Sequence, residues 1–350
     1  MNILVTGGFG NVGRSAAMAC LAAGHSIAIF ESPSALKKAG VGLKRLLNTR
    51  WASCTFVFGD IRSREDIGRA FSAFPDGPDA VIHLAALIPP AAEKDPEKTK
   101  AINIGGTANI IEACRSARNH PRLVFASSIA IYGDRLKNFW IKTSDEIHPS
   151  DLYSETKAEC ERLLRASGLD FAVLRLSYVV WAKWLPFDPL LFSMPPETRL
   201  EIIHTEDAGR AFAAAASHPS IGGQTLDIGG GSLCRTFFRA FLDRVFRYFG
   251  LGDSTFLPES AFAAANFHCG WYEDSDYADS LLRFRRKTLE DYYEEVRWET
   301  RFLSRLVFIV GPIVKLWLAR KSPFSPPPRQ RRQADRSGRQ LRKESLQARK

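Results

Sequence analysis

Tyr153 and Lys157 form a pair whose residue types and spacing could do chemistry. They stand four apart in the run Y-S-E-T-K, inside a stretch with helical character, so the two side chains share a helix face. A tyrosine ordinarily ionises at about pH 10, too high for a base near neutrality. A neighbouring ammonium favours the phenolate and lowers that value. A phenol tuned in this way can take the proton of an alcohol or return one to a ketone. The pair alone carries little weight, since Y-x3-K arises by chance about once in a chain of this length. The rest of the sequence has to supply a second reactant and a frame.

The first turn of the chain points to that reactant. It reads T-G-G-F-G-N-V-G, with Gly7, Gly10 and Gly13 three apart directly behind the apolar run Asn2–Thr6 and ahead of a helical stretch, Asn11–Ala23. Strand, glycine turn and helix in that order receive a dinucleotide. Gly7 permits the tight turn, Gly10 lets a pyrophosphate approach the backbone, and Gly13 lets helix and strand pack closely. The helix N-terminus offers free N–H groups and a positive dipole to the phosphates. Phe9, Asn11 and Val12 complete the same turn and count among its binding residues. The second apolar run, Ser26–Phe30, ends at Glu31. A carboxylate there can bond both hydroxyls of an adenosine ribose and repels a 2′-phosphate, which favours NAD; Lys37, Lys38 or Arg62 could still admit NADP.

Elements that must position these residues follow in alternation. Short apolar runs recur at Thr55–Phe58, Ala80–Leu84, Leu123–Ala126 and Phe171–Leu176, separated by helical stretches at Arg64–Phe74, Glu97–Arg118 and Ser154–Ser167. Alternation of this kind indicates an α/β fold, a doubly wound parallel sheet with helices on both faces. Residues 1–176 form the dinucleotide-binding core on this reading. Residues 177–300 form a small substrate part interleaved with the last elements of the core, including strands at Glu201–Ile203 and Gln224–Ile228 and a helix at Glu206–Ser217.

With these motifs in place the chain resembles the extended short-chain dehydrogenase/reductase family, also called the NAD-dependent epimerase/dehydratase family. The likeness rests on the G-x2-G-x2-G turn, Gly59-Asp60-Ile61 after the third strand and His83-Leu84-Ala85-Ala86 at the end of the fourth. It also rests on Asn103 in I-N-I-G-G-T, on Ser127-Ser128-Ile129-Ala130-Ile131-Tyr132-Gly133 and on Tyr153-Ser154-Glu155-Thr156-Lys157. The resemblance runs from Met1 to about Gly231, with a fainter echo at Trp271–Val296. It implies a Rossmann fold in which Asp60 and Ile61 meet the adenine and Leu84, Ala85 and Ala86 lie under the cofactor. It further implies that Tyr153 serves as acid/base, that Lys157 also holds the nicotinamide ribose, and that Ser128 stabilises charge on the substrate oxygen. Asn103 joins that catalytic set. Ser127 is the alternative serine, but Ser128 keeps the family's spacing to Tyr132. His83 is read as a packed core histidine. His268 and Cys269, being adjacent, point apart.

The substrate region departs from the sugar-nucleotide members of the family. They carry Asn in an L-R-x-x-N pattern, where this chain has Leu174-Arg175-Leu176-Ser177-Tyr178, and an Arg four residues before a His, where it has Leu200 before His204. Apolar stretches stand nearby: Leu87-Ile88-Pro89-Pro90, Val179-Val180-Trp181 and Trp184-Leu185-Pro186-Phe187. The substrate is therefore read as a sugar derivative or an apolar, sterol-like alcohol. Dehydration is disfavoured, since Ile129 and Ala130 follow Ser128 where dehydratases usually add an acidic pair.

Charge and composition separate the body from the tail. Of the net charge of +10, residues 320–350 carry +9, with 11 Lys/Arg against 2 Asp/Glu, which leaves the other 319 residues near neutral. A nucleic-acid-binding body is thus not expected, and the tail reads as basic and disordered. Residues 301–319 read as an apolar helix that Gly311-Pro312 must kink or end, resembling an interfacial membrane anchor. No run reaches the ~18 apolar residues of a spanning helix. Six scattered cysteines without a C-x-x-C pair suggest neither a disulfide framework nor a zinc site, hence reduced thiols, no metal and a cytoplasmic setting. The expectation is a homodimeric NAD(P)-dependent oxidoreductase or epimerase of small molecules. The rival is a non-catalytic dinucleotide sensor that regulates membrane or partner association.

Overall fold

The computed structural model describes residues 1–38, 50–181, 189–264 and 267–324. Trp184-Leu185-Pro186-Phe187, the side chains of Lys37 and Lys38, and the tail beyond Phe324 lie outside the described residues.

A seven-stranded, all-parallel sheet forms the centre. Its strands are β1 (Asn2–Thr6), β2 (Ser26–Glu31), β3 (Thr55–Phe58), β4 (Ala80–His83), β5 (Arg122–Ser128), β7 (Phe171–Leu176) and β10 (Gln224–Ile228), in the order β10-β7-β5-β4-β1-β2-β3. Most of these strands are apolar along their length because helices cover both faces; Ile3, Leu4, Val5, Val81 and Ile82 are fully buried. Strand order reverses between β1 and β4, the switch point beyond whose carboxyl ends α/β sheets bind ligands.

The helices are α1 (Asn11–Ala22), α2 (Pro33–Lys38), α3 (Arg64–Phe71), α4 (Pro96–Lys100), α5 (Gly106–Ser116), α6 (Leu152–Arg165), α7 (Thr205–Ser217), α8 (Phe238–Tyr248), α9 (Ser275–Leu282), α10 (Leu289–Thr300) and α11 (Leu303–Lys321). The predicted helix over 97–118 is divided: a π-helical turn, Ala101–Gly105, joins α4 to α5. Helix α7 lies so close on α1 that a Cβ on Gly209 would stand 2.4 Å from the Ser15 carbonyl carbon.

A second lobe draws on β6 and on parts of the chain after β7, and interleaves with the core. Strands β8 (Tyr178–Val180), β9 (Arg199–His204) and β11 (Arg235–Phe237) form a small mixed sheet, and β6 (Trp140–Ile141) pairs with β12 (Trp271–Tyr272). Its apolar cluster includes Val180, Phe192, Met194, Phe241, Phe246 and Tyr292. Gly311-Pro312 does not end α11, which runs through Pro312 to Lys321. The proline removes a single donor, its side chain is exposed, and buried Val307 and Leu318 anchor the turns on either side.

Candidate active site

The glycine turn closes the carboxyl end of β1. Gly7 takes φ +73°, and a Cβ there would lie 2.8 Å from the Ala85 nitrogen, so the ends of β1 and β4 touch through backbone. A Cβ on Gly13 would stand 2.2 Å from the Gly7 carbonyl oxygen and 2.8 Å from the Gly8 Cα. Gly10 differs, because only the Gly7 oxygen, at 3.2 Å, lies within 4 Å of its Cβ position. That side of the turn is open. No side chain caps α1 and its first turn holds no acid, which leaves its N-terminus to an anionic group.

Glu31 sits across the turn. Its carboxylate accepts the Phe9 N–H at 3.0 Å and the Ser32 N–H at 2.9 Å, while burial pushes its pKa up. Asp60 is held by Arg62 in a salt bridge, and neighbouring Ile61 is buried. Leu84, Ala85 and Ala86 are half-buried beyond β4. The Thr6 hydroxyl accepts the Leu84 and Ala85 N–H groups at 3.3 Å.

Opposite the glycine turn, β5 and α6 bring Ser128, Tyr153 and Lys157 together. A capping box starts α6: Asp151 accepts the Ser154 N–H at 2.7 Å, and the Ser154 hydroxyl accepts the Asp151 N–H at 3.1 Å. It fixes Tyr153 in the first turn and Lys157 one turn on. The Ser128 side chain lies near the Tyr153 hydroxyl and favours its phenolate. Lys157 donates to the Ala126 carbonyl at 2.7 Å, and its ammonium lies 5.7 Å from the Tyr153 ring centre.

Among the protein's own groups, burial outweighs the effect expected of the ammonium alone. Burial dominates both groups, pushing the phenol up to about 12 and the ammonium down to about 8. Only the neighbouring Ser128 side chain pulls the phenol back. At neutral pH Tyr153 is therefore a proton donor.

The two serines separate cleanly. Ser127 is buried and donates to Glu161 at 2.6 Å, while Ser128 is half-buried at the end of β5 and faces Tyr153. Asn103 is placed as a clamp. Its Oδ1 accepts the Leu87 N–H at 2.8 Å, and its Nδ2 donates to the Leu87 carbonyl at 3.1 Å and the Thr156 hydroxyl at 3.0 Å. It pins the loop after β4 to α6 and has no amide hydrogen left for a substrate. His268 stacks on Phe267, and Cys269 is buried.

A polar network under the site was not foreseen. Glu161 holds Arg175 at 3.0 and 2.8 Å, and Arg175 donates to the Tyr132 hydroxyl at 2.6 Å, which in turn donates to Asp227 at 2.8 Å. It ties α6 to β5, β7 and β10. Two sequence signals pointed to it: Arg175 interrupts an apolar strand and needs a partner, and Glu161 lies four residues beyond Lys157.

His83 is a core residue. It bonds the Thr6 hydroxyl at 2.7 Å and the Thr107 hydroxyl at 2.9 Å, and burial, with the charge of Lys157 adding, pushes its pKa down to about 3. Below about pH 6.5 an unfolded histidine binds a proton that the native fold refuses until about pH 3. Stability should therefore fall on acidification across that window, by about 1.4 kcal/mol per pH unit from this residue. Urea unfolding at several pH values should show this slope, and His83→Gln should flatten it.

Residues 3–182 match the model of the NAD dependent epimerase/dehydratase family, just over half of the chain. The chain belongs to that family. Among the family's curated members, the CDP-paratose 2-epimerase of Salmonella typhi is 32% identical over 139 residues, covering 38% of this chain and 38% of that protein. A D-erythronate dehydrogenase of Cupriavidus necator is 30% identical over 187 residues, covering 50% and 54%. The matches thus span about half or less of these relatives. The UDP-glucose-4-epimerase of Stenotrophomonas maltophila, solved with bound NAD, superposes with a TM-score of 0.70 over 87% of this chain and 99% of that one, at 22% identity, and so shares the fold.

Proposed function

We propose that this protein is an NAD-dependent oxidoreductase or epimerase that exchanges a hydride with a secondary alcohol or its ketone. The observation that carries the reading is the Ser128–Tyr153–Lys157 set on β5 and α6, opposite an open glycine turn. Relatives named as an epimerase and a dehydrogenase support it. The cradle suits a dinucleotide. Gly10 and the uncapped α1 would receive the pyrophosphate, Glu31 the adenosine ribose, Asp60 and Ile61 the adenine, and Lys157 the nicotinamide ribose. When bound, NAD supplies the hydride acceptor and NADH the donor.

The chain's own residues handle the proton. Tyr153 gives its hydroxyl proton to a ketone oxygen or takes one from an alcohol, and Ser128 bonds the same oxygen as charge develops on it. Lys157, held by Ala126, keeps a positive charge beside the phenol. Asn103 acts as a positioning residue through Leu87 and Thr156.

The relatives' names favour a sugar derivative. Tyr178 and Leu200, which stand where sugar-nucleotide members carry Asn and Arg, favour a sterol-like alcohol instead. Assembly as a homodimer and peripheral contact with a membrane through the C-terminal segment complete the proposal. Turnover with NAD or NADH should be assayed against both substrate classes, with products read by mass spectrometry. Conversion that requires Tyr153 supports the reading; saturable NADH binding with no conversion in either class favours the sensor. Because Glu31 repels a 2′-phosphate, NADH should bind more tightly than NADPH in a fluorescence titration. Equal affinities would remove Glu31 as the ribose ligand.

A further inference from the structure

Helix α11 turns a continuous apolar face outward. Phe302, at its N-terminal boundary, and Leu306, Ile309, Ile313, Leu316 and Trp317 recur at helical steps and are 44% to 75% exposed. A soluble chain rarely leaves so many large apolar side chains contiguous in water. The opposite face is fastened to the second lobe: Val307, Gly311 and Leu318 are buried, and just past the helix the Ser322 hydroxyl donates to the Ala261 carbonyl at 2.5 Å.

This fastening decides how the helix could meet a membrane. Among the described residues no single helix is long and apolar enough to cross one, and the α10–α11 pair is bent by 84°. Helix α10 also buries Tyr292, Tyr293 and Val296 in the lobe and is not free to insert. Helix α11 is held against the protein along its length, so only its outer face is available.

Charge selects the occupant. Residues 303–321 contain no Asp or Glu, while Arg301, Arg305, Lys315, Arg320 and Lys321 border the apolar face. Arg301 lies over the rings of Trp298 and Phe302 at 3.8 and 4.6 Å, and Lys321 lies 5.1 Å over Trp317, an arrangement of apolar body and cationic rim. The sequence from residue 325 onward adds nine Lys/Arg against two Asp/Glu. A second copy of the chain meeting this face would bring like charges together. An anionic lipid surface neutralises them.

We infer that α11 is an interfacial helix that lies in the plane of an anionic lipid surface, with Leu306, Ile309, Ile313 and Trp317 in the acyl boundary and the flanking Arg and Lys at the headgroups. This rests on the peripheral membrane contact proposed above and is independent of the catalytic reading. It brings the lobe containing Val180 and Phe192 to the place where an apolar alcohol partitions.

The test is co-sedimentation of the full chain with vesicles of phosphatidylcholine alone, or of equal parts phosphatidylcholine and phosphatidylglycerol, at low and high salt. NADH binding is measured on the same samples. The chain should sediment with the anionic vesicles, less so at high salt, and scarcely with the neutral ones. The double variant Ile309→Glu/Ile313→Glu should lose binding by about tenfold or more with NADH affinity unchanged. No sedimentation with anionic vesicles, or equal sedimentation of the variant, would overturn the assignment to α11. So would a wild-type dimer that the variant converts to monomers without any lipid binding, since the face would then join two copies. Loss of NADH binding in the wild type would instead count against the dinucleotide reading.

Discussion

Tyr153→Phe is expected to bind NADH as the wild type does and to turn over ~10²–10⁴-fold more slowly, the usual cost of removing one general acid/base. The phenyl ring keeps the contacts of the first turn of α6, and the Asp151–Ser154 capping box that sets this turn is untouched. Only the hydroxyl beside Ser128 is lost. The same group predicts an asymmetric pH profile. With the phenol pushed up to about 12, ketone reduction has its proton donor throughout the neutral range, whereas alcohol oxidation needs the scarce phenolate and should quicken as pH rises. Steady-state rates in both directions across pH, for wild type and variant, check this. Full activity in the variant would remove Tyr153 from the chemistry.

Gly10→Ala and Gly13→Ala should fail differently, although both replace a glycine of one turn. At Gly13 the new methyl meets backbone on two sides, at 2.2 and 2.8 Å, and backbone has nowhere to move without opening the turn. We expect a loss of about 1–3 kcal/mol or more in urea unfolding, with NADH binding lost as well. At Gly10 the methyl meets only the Gly7 oxygen, at 3.2 Å, and projects into the open side. Stability should stay within about 1 kcal/mol of wild type while NADH affinity falls by about tenfold or more, because the methyl stands where a pyrophosphate must approach. Equal NADH affinity in Gly10→Ala and wild type would place the dinucleotide elsewhere.

Much of this architecture was legible because parallel strands buried on both faces write themselves as apolar runs. Phe171–Leu176 and Gln224–Ile228 were bounded as the structure bounds them. The glycine turn was legible for a related reason, since only one residue type tolerates Gly7's φ and Gly13's crowding. The sequence could not place Lys157 against the Ala126 carbonyl, because its spacing from Tyr153 says they share a face and nothing of burial. Nor did it show Asn103 spending its amide on Leu87 and Thr156, contacts that depend on a loop 16 residues away and a helix 53 residues away. The pairing of Trp140–Ile141 with Trp271–Tyr272 joins two-residue strands too short for any periodicity. Pro312 does not end α11, because the lobe holds the helix through Val307 and Leu318 on either side of it, which the local sequence does not show.

The account turns on a dinucleotide seated on the Gly7–Gly13 turn beside a phenol that serves the chemistry and not the binding. Titration of the full chain with NADH, followed by energy transfer from tryptophan, tests this most directly when run side by side on wild type, Tyr153→Phe and Gly10→Ala. Saturable binding that is unchanged in Tyr153→Phe and weakened in Gly10→Ala is the predicted pattern. A wild type that does not bind NADH, or three proteins that bind it alike, would contradict the account.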